Sequence, residues 1–457
     1  MRYTVHSLVR PLTRVRDEVW ELGDMSSADE SATRQAQPRC KVLVLNVLDE
    51  VGGAARAALR ISTGLRRRDL DLQMAVQQKI GDKYWIVHGE NPAQKLLSRA
   101  LGRIDVLPNA VYPKRSGDPW SNNWFPNDIG KVFDFKKYDL LHLHWIARGF
   151  LPTRMLAKVD LPIVWTLHDM WGFTGGCHYS GECRRYEDTC GVCPQLGSRT
   201  AHDLSAHNLH AKQRAYEGKA LHIVSPSNWL AAQARKSILF RQFEVSVIPN
   251  GIDLKIFRPI GRPAARNLLG LPQDARIVLF GAAGAERDDR KGFPLLCSAI
   301  AEMAKNGTRL DNMQLVVFGS SEPRDPPDLG IPVCFLGKLS DDSSLACLYS
   351  SADVVVAPSR QENLSNTIME AMACGTPAVA FDIGGNGDLI DHLENGYLAK
   401  PFEPADLAAG ISWVLGDAAR LTSLSEAARR KCELKFDLDI VCSQYEDVYR
   451  RAIAESR

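Results

Sequence analysis

The sequence predicts an α/β protein with two doubly wound domains, in which parallel strands alternate with helices. Short runs of consecutive apolar, often β-branched residues recur along the chain, as in parallel strands that are covered on both faces. Helical stretches separate these runs, which is the order of elements in a doubly wound sheet. The 457 residues, 45% apolar and 24% charged, exceed one ordinary domain and have a globular composition.

The first predicted domain covers residues 40–257 and begins with the apolar strand Lys41–Val47. A double glycine, Gly52 and Gly53, follows this strand and precedes a helix. Glycine lets the backbone turn tightly or approach a ligand closely, so the pair fits both a simple turn and a substrate-contacting loop. Later apolar runs predict further strands at Leu140–His144, Ile163–Leu167 and His222–Val224.

The second predicted domain covers residues 264–435, and residues 436–457 predict a C-terminal helix. Ligands of doubly wound sheets bind at the carboxyl ends of the strands. Two such domains that face each other therefore predict a central cleft between their sheets. The predicted strands of this domain are Ile277–Phe280, Gln314–Phe318, Val333–Phe335, Asp353–Ala357 and Ala378–Phe381.

Composition narrows the possible partners and locations. The formal net charge of +2 gives no overall attraction for nucleic acid. No apolar run approaches the roughly 20 residues of a membrane span, so the expected location is the cytoplasm. Residues 1–39 are polar and aperiodic, which predicts a disordered extension. The stretch Gln94–Arg103 has a basic face and an apolar face, and it fits either an ordinary surface helix or peripheral contact with the inner face of a membrane.

The most informative motif follows the predicted strand Asp353–Ala357. The segment ENLSNTIMEAMACGTP places two carboxylates, Glu362 and Glu370, eight positions apart. Eight helical residues advance the azimuth about 80° beyond two turns, so both carboxylates are expected on one side of a helix. A helix N-terminus just past a strand binds phosphate through its free amides. The motif therefore predicts a ligand with a phosphate group and several hydroxyls, such as a nucleotide sugar.

This motif resembles the Glu-x7-Glu signature of family 4 glycosyltransferases, which are retaining enzymes of the GT-B fold. That fold has two Rossmann-like domains facing a central cleft, and the resemblance implies a nucleotide-diphosphate sugar on the second domain and an acceptor on the first. It also implies that the C-terminal helix packs back on the first domain. Other segments resemble the family in the same order: Val224–Leu230, Val247–Pro259, Arg290–Phe293, Leu315–Gly319 and Ile383–Gly385.

The resemblance implies a role for each residue on the donor side. Glu370 is expected to bind the ribose hydroxyls and Glu362 the hydroxyls of the transferred sugar. Lys291, with either Arg287 or Arg290, is expected to neutralise the leaving diphosphate, so that catalysis needs no cofactor. The backbone of the intervening segment is expected to hold the diphosphate through Asn363, Leu364, Ser365, Asn366 and Thr367.

On the acceptor side, His168 and Asp169 end a predicted strand and resemble the histidine position of the family. His168 is expected either to position and polarise reacting groups or to act as a general base. Asp169 is expected to orient that imidazole or to contact the acceptor. His144 and Trp145, which follow another strand together with His142, fit both acceptor contact and core packing.

Four of the 11 cysteines lie in a cysteine-rich insert, residues 175–197. Their spacing fits three interpretations, namely a structural zinc site with His178 as a reserve ligand, two disulfides, or free thiols. The insert resembles one found in family 4 enzymes that build bacterial surface or exported polysaccharides. Because it follows His168, it is expected to form a stiff flap beside the acceptor. The four residues are Cys177, Cys183, Cys190 and Cys193.

These features together predict a retaining hexosyltransferase. The predicted acceptor is a glycan or a lipid-linked oligosaccharide in polysaccharide biosynthesis. Two alternatives share the fold: a sugar-nucleotide epimerase, which needs no acceptor, and a non-catalytic scaffold that binds a nucleotide sugar. The intact Glu362, Glu370 and Lys291 argue against the scaffold.

Overall fold

The computed structural model describes residues 40–88, 100–124, 134–281, 289–307, 310, 312–323, 326–339 and 341–456. The predicted extension, residues 1–39, lies outside this range, as do residues 94–99 of the Gln94–Arg103 stretch. Residues 100–104 of that region are helical, and Leu101 is buried.

The first domain is built on a sheet of seven parallel strands in the order β3-β2-β1-β4-β5-β6-β7. The central pair, β1 and β4, is aligned with Leu45 beside Leu143. The strands are β1 Lys41–Leu48, β2 Asp71–Gln78, β3 Ile86–Val87, β4 Leu140–Leu143, β5 Ile163–Thr166, β6 Leu221–Ser225 and β7 Val245–Val247. The helices are α1 Gly53–Arg67, α2 Thr153–Leu156, α3 Leu204–Tyr216 and α4 Asn228–Lys236.

The second domain is built on six parallel strands in the order β10-β9-β8-β11-β12-β13. The strands are β8 Arg276–Gly281, β9 Met313–Phe318, β10 Val333–Phe335, β11 Val354–Ala357, β12 Ala378–Phe381 and β13 Gly396–Ala399. The helices are α5 Arg262–Leu269, α6 Phe293–Lys305, α7 Asp342–Ser351, α8 Asn366–Ala373, α9 Asn386–Leu389, α10 Pro404–Leu415 and α11 Ala418–Lys431.

Apolar side chains cover both faces of each sheet, which is why their central strands are unbroken apolar runs. The sequence analysis did not predict β2, β3, β7 or β13. Strand β2 begins and ends with polar residues, and the other three lie at sheet edges and have two to four residues. Within the described part of the chain, every helix is too short or too polar for a membrane span.

The last helix, α12 Leu438–Glu455, crosses back from the second domain and packs on the first sheet. Its Tyr445 hydroxyl lies 2.9 Å from Thr166 Oγ1, and its Tyr449 hydroxyl lies 2.7 Å from His142 Nδ1. The chain enters this helix beside Ile252, whose N–H donates to the Phe436 carbonyl. Helix α12 therefore fastens the end of the second domain to the core of the first.

Close packing between α1 and α12 depends on Gly64. A Cβ at this position would lie 2.5 Å from Cys442 Sγ and 2.9 Å from Leu438 Cγ. Overpacking a core contact typically costs about 1–3 kcal/mol. We expect Gly64→Val to lower the free energy of unfolding by that amount in urea titrations. Gly261→Ala is the control, because a Cβ there meets no described atom within 4 Å, and equal stability of both variants would contradict this packing.

Candidate active site

The carboxyl ends of the two sheets meet through the loop between β11 and α8. The side-chain amide of Asn363 donates to the His168 carbonyl over 3.2 Å, and its oxygen accepts from the Ser227 hydroxyl over 2.7 Å. Asn363 is itself buried. The donor-side segment predicted from the sequence thus contacts the predicted acceptor-side histidine loop directly.

A second asparagine, Asn366 at the start of α8, joins the two domains at the glycine turn. The side-chain amide of Asn366 donates to the Gly53 carbonyl over 3.0 Å and accepts from the Asn250 amide over 3.1 Å. Gly52, at φ 98°, precedes α1 in a conformation that favours glycine. The glycine pair therefore forms a turn and also carries a contact to the second domain.

Lys291 and Glu362 form an ion pair, with Nζ 2.9 Å from Oε2. Lys291 ends the short helical turn Asp289–Lys291 after β8. The next residue, Gly292, has φ 73°, and a Cβ there would collide with the Pro358 carbonyl. This glycine lets the lysine-bearing loop lie directly against the end of β11.

The predicted placement of both carboxylates on one helix is wrong. Helix α8 begins at Asn366, capped by the Ser365 hydroxyl, which accepts from the Ile368 N–H. Glu362 lies before the helix in the loop, where its carbonyl packs so closely on Gly384 that any Cβ at residue 384 would collide with it. Helical spacing therefore does not relate Glu362 to Glu370.

Glu370 lies on α8 and is 1% exposed. Its Oε2 accepts a hydrogen bond of 2.8 Å from the Tyr349 hydroxyl. Its Oε1 lies 2.8 Å from Nη2 of Arg60, a residue of α1 in the first domain. The carboxylate predicted to bind ribose is therefore enclosed by groups from both domains.

The remaining donor-side residues have different surroundings. The side chain of Leu364 is part of the apolar core, and Thr367 is half-buried in the first turn of α8. The Arg290 carbonyl accepts from the Arg360 N–H over 2.7 Å, which places Arg290 beside the end of β11. Arg287 lies outside the described residues.

Three histidines form a chain at the ends of β4 and β5. His144 Nδ1 lies 2.9 Å from His168 Nε2, and the His142 and His144 rings are 4.2 Å apart. Burial lowers the pKa of His142 to about 3 and that of His168 to about 4, although Asp169 opposes the latter shift. Burial and the two neighbouring imidazoles lower the pKa of His144 well below its ordinary value. The chain is thus uncharged at neutral pH.

Asp169 does not orient His168 in the way predicted. Its Oδ2 accepts from Trp145 Nε1 over 2.7 Å and lies 2.6 Å from His178 Nδ1. Burial opposes ionisation, but His178 and the hydrogen bonds from Trp171 and Trp145 hold the pKa of Asp169 below its ordinary value. His144 holds the His168 ring, whereas Asp169 fixes the start of the cysteine-rich insert.

None of the four cysteines of the insert forms a disulfide within the described residues. Cys177 and Cys193 pack with Trp120, and burial raises the pKa of Cys190 to about 12. The reserve ligand His178 is occupied, because its Nε2 lies 3.0 Å from the Ser121 hydroxyl. No three His, Cys, Asp or Glu side chains within the described ranges are arranged as metal ligands. The zinc site stays a prediction, which metal analysis of freshly purified protein checks.

A cavity of about 310 Å³ separates the cysteine-rich insert from the second domain. Glu362 lines this cavity, together with the aromatic residues Tyr179 and Trp229. The rings of Tyr179 and Trp229 stack, with their centroids 6.4 Å apart and their planes at 24° to each other. The cavity therefore combines an aromatic wall with one carboxylate of the predicted donor motif.

Comparison with known proteins identifies the family. Residues 51–256 match the model described as Glycosyltransferase Family 4, and residues 275–417 match that of Glycosyl transferases group 1. D-inositol 3-phosphate glycosyltransferase 1 of Catenulispora acidiphila is 30% identical over 341 residues, covering 70% of this chain and 74% of that protein. The chain belongs to glycosyltransferase family 4. The prediction of a glycosyltransferase is confirmed.

Solved structures confirm the GT-B fold of this family 4 glycosyltransferase. Sucrose-phosphate synthase from Thermosynechococcus elongatus matches with a TM-score of 0.64 and 22% identity, covering 91% of this chain and 100% of that one. Anabaena HepE in complex with UDP-glucose matches with a TM-score of 0.58 and 19% identity, covering 90% and 99%.

Several residues in or near the candidate site were not predicted from the sequence. Arg60 had a detectable signal, because it shares the buried stripe of α1 with Ala57 and Gly64, where an arginine is unusual. Tyr349 and Trp229 had none, because tyrosine and tryptophan at such positions are ordinary core residues. Lys212 is fully buried and donates to the Thr174 carbonyl over 3.0 Å, which anchors the segment leading into the insert.

The uncharged histidine chain predicts a pH dependence of stability. Below about pH 6.5 the imidazoles bind protons in the unfolded chain but not in the folded one, so the free energy of unfolding should fall as the pH drops from 6.5 to 5. We expect His142→Gln to reduce the slope of the unfolding free energy against pH by the amount that corresponds to about one bound proton. Urea titrations at several pH values measure it, with exposed His210→Gln as the control, and an unchanged slope in His142→Gln would contradict a neutral buried imidazole.

Proposed function

We propose that this glycosyltransferase transfers a hexose from a nucleoside-diphosphate sugar to a glycan or a lipid-linked oligosaccharide, with retention of anomeric configuration, in polysaccharide biosynthesis. The observation that supports this best is the Lys291–Glu362 ion pair at the carboxyl end of the second sheet. A cation for the diphosphate and a carboxylate for the sugar hydroxyls are adjacent there, and the carboxylate lies in the loop that contacts the His168 backbone.

Charge at the donor side suits a departing diphosphate. Negative charge on this group grows as its bond to the sugar stretches, so a fixed cation stabilises the transition state more than the ground state. Lys291 supplies such a cation, and Arg290 follows the same strand. The free amides at the N-terminus of α8 add partial positive charge.

Retention follows from attack on the face that the diphosphate leaves. The acceptor oxygen forms its bond to the anomeric carbon while the bond from that carbon to the phosphate oxygen breaks. The acceptor proton passes to the departing phosphate oxygen, so this step requires no protein base. His168, held by His144 and uncharged at neutral pH, positions and polarises the reacting groups.

The donor class is supported by a structural relative. HepE, which shares the fold, was solved with UDP-glucose. Sugars linked to UDP, GDP and ADP are therefore the first donors to test.

The cavity beside the cysteine-rich insert suits the acceptor. Its volume of about 310 Å³ lies at the lower end of small-molecule pockets. The Tyr179 and Trp229 rings offer apolar faces for a sugar ring, and Glu362 lines the same cavity. The ribose carboxylate, Glu370, is not among the residues that line this cavity. A sugar bound here would thus lie next to the transferred hexose, away from the nucleoside.

The first test scores nucleotide release from a panel of UDP-, GDP- and ADP-sugars with and without glycan acceptors. We expect release with at least one donor, and Lys291→Met should reduce kcat by roughly 100-fold or more because it removes charge stabilisation from the transition state. Glu370→Gln should weaken nucleotide binding more than Glu362→Gln. Glu302→Gln is the matched control, because that carboxylate pairs with Lys305 on the surface of α6.

Two outcomes of this test would contradict the proposal. Tight nucleotide binding without release from any donor would indicate a non-catalytic scaffold. Conversion of the donor to an epimer or a free sugar, unchanged by any acceptor, would indicate an epimerase.

The second test concerns the acceptor cavity. We expect Trp229→Ala to raise the KM for the acceptor by about tenfold, because a central aromatic contact is lost. Hydrolysis of the donor by water should change by less than about twofold. Trp413→Ala, which removes an aromatic packed on Tyr397 in the second domain, is the control. Equal effects of Trp229→Ala on transfer and on hydrolysis would place the cavity outside acceptor binding.

A further inference from the structure

We propose that Arg60, from helix α1 of the first domain, completes the ribose-binding site around Glu370. This inference rests on the proposed function, because it requires a nucleotide donor. It assigns a first-domain residue to the recognition of the nucleoside, so that the nucleotide contacts both domains.

Two buried atoms at the contact between Arg60 and Glu370 lack hydrogen bonds. Arg60 Nη1 has no hydrogen-bond partner among the described residues, and neither does Glu370 Oε1. The 2.8 Å approach of Arg60 Nη2 to Oε1 is an ion pair without a well-directed hydrogen bond. Buried polar atoms nearly always have hydrogen-bond partners, so an unpaired nitrogen of Arg60 and an oxygen of Glu370 that accepts no hydrogen bond, on two side chains in contact, indicate a missing polar group.

One hydroxyl group satisfies both atoms. A hydroxyl oxygen accepts a hydrogen bond from a guanidinium N–H and donates its own proton to a carboxylate oxygen. Ribose carries two such hydroxyls on adjacent carbons. The Tyr349 hydroxyl already occupies the other carboxylate oxygen, Oε2, so the ribose is directed to Oε1 and thereby to Arg60.

Asp342 of the second domain and Phe257 hold Arg60 in position. Its Nη2 lies 3.3 Å from Asp342 Oδ1, and its guanidinium carbon lies 4.7 Å from the centre of the Phe257 ring. Asp342 in turn binds Arg56, one turn earlier on α1, over 2.7 Å. The guanidinium group is therefore preorganised beside Glu370, which reduces the entropy lost when it binds a ligand.

The burial of both atoms implies an order of events. Arg60 and Glu370 belong to different domains and contact each other, so the ribose enters only when the domains separate. Closure then brings Arg60 onto the bound hydroxyl. Nucleotide binding and domain closure are thereby coupled through one guanidinium group.

The test measures the Kd of UDP, 2′-deoxy-UDP and 3′-deoxy-UDP by calorimetry, with GDP, ADP and their deoxy forms as alternative probes. For the wild-type protein we expect loss of one hydroxyl to weaken binding roughly tenfold, as for a hydrogen bond to a charged group. In Arg60→Gln the ratio of deoxy to ribose Kd should fall by about threefold or more, because the two changes remove one shared interaction.

The matched control is Arg56→Gln, which removes an arginine of the same helix that contacts Asp342. It should keep the wild-type ratio. If Arg60→Gln does not fold, Arg60→Lys retains the charge, lacks the second guanidinium nitrogen and should show the same loss of discrimination. If the ratio of deoxy to ribose Kd in Arg60→Gln equals that of the wild-type protein, this inference is overturned and the proposed function is not. Failure of all three nucleoside diphosphates to bind the wild-type protein would overturn both this inference and the proposed function.

Discussion

The hydrogen bonds of Asn363 connect the two halves of the site. This buried side chain belongs to the donor-side loop, yet it donates to the His168 carbonyl and accepts from the Ser227 hydroxyl of the first domain. A buried amide that loses its partners carries a substantial free-energy cost. A ligand that separates the domains must therefore replace these contacts or leave them to water. Asn363 thus ties the backbone of His168 to the loop that carries Glu362.

Parallel strands and three glycines bring the loops close enough for such contacts. All strands of a parallel sheet end at the same edge, so the loops after β8, β11 and β12 are neighbours. A Cβ at Gly292 would collide with the Pro358 carbonyl, at Gly384 with that of Glu362, and at Gly385 with that of Asn363. The donor-side carboxylate and the domain-joining amide are thus positioned by backbone packing on glycine.

The two sides of the site differ in their electrostatics. The first domain contributes a chain of neutral imidazoles, whose pKa values burial has lowered. The second domain contributes the Lys291–Glu362 ion pair and the partial charge of the α8 N-terminus. In the proposed reaction, Lys291 and this helix N-terminus would stabilise charge that develops on a departing diphosphate. The neutral side is suited to holding an uncharged hydroxyl acceptor.

Local patterns in the chain were sufficient for the class of fold and the family. Apolar runs such as those of β1 and β11 report burial on both faces directly, and the motif around Glu362 and Glu370 is contiguous. Contacts between distant segments were not predictable in this way. The position of Glu362, which the helical spacing predicted incorrectly, depends on close packing of its carbonyl against Gly384. The pairing of Arg60 with Glu370 joins residues 310 positions apart, and the partner of His168 proved to be His144 rather than Asp169. Such pairings arise when two sheets approach through their carboxyl ends, and packing of that kind leaves no periodic trace in a single sequence.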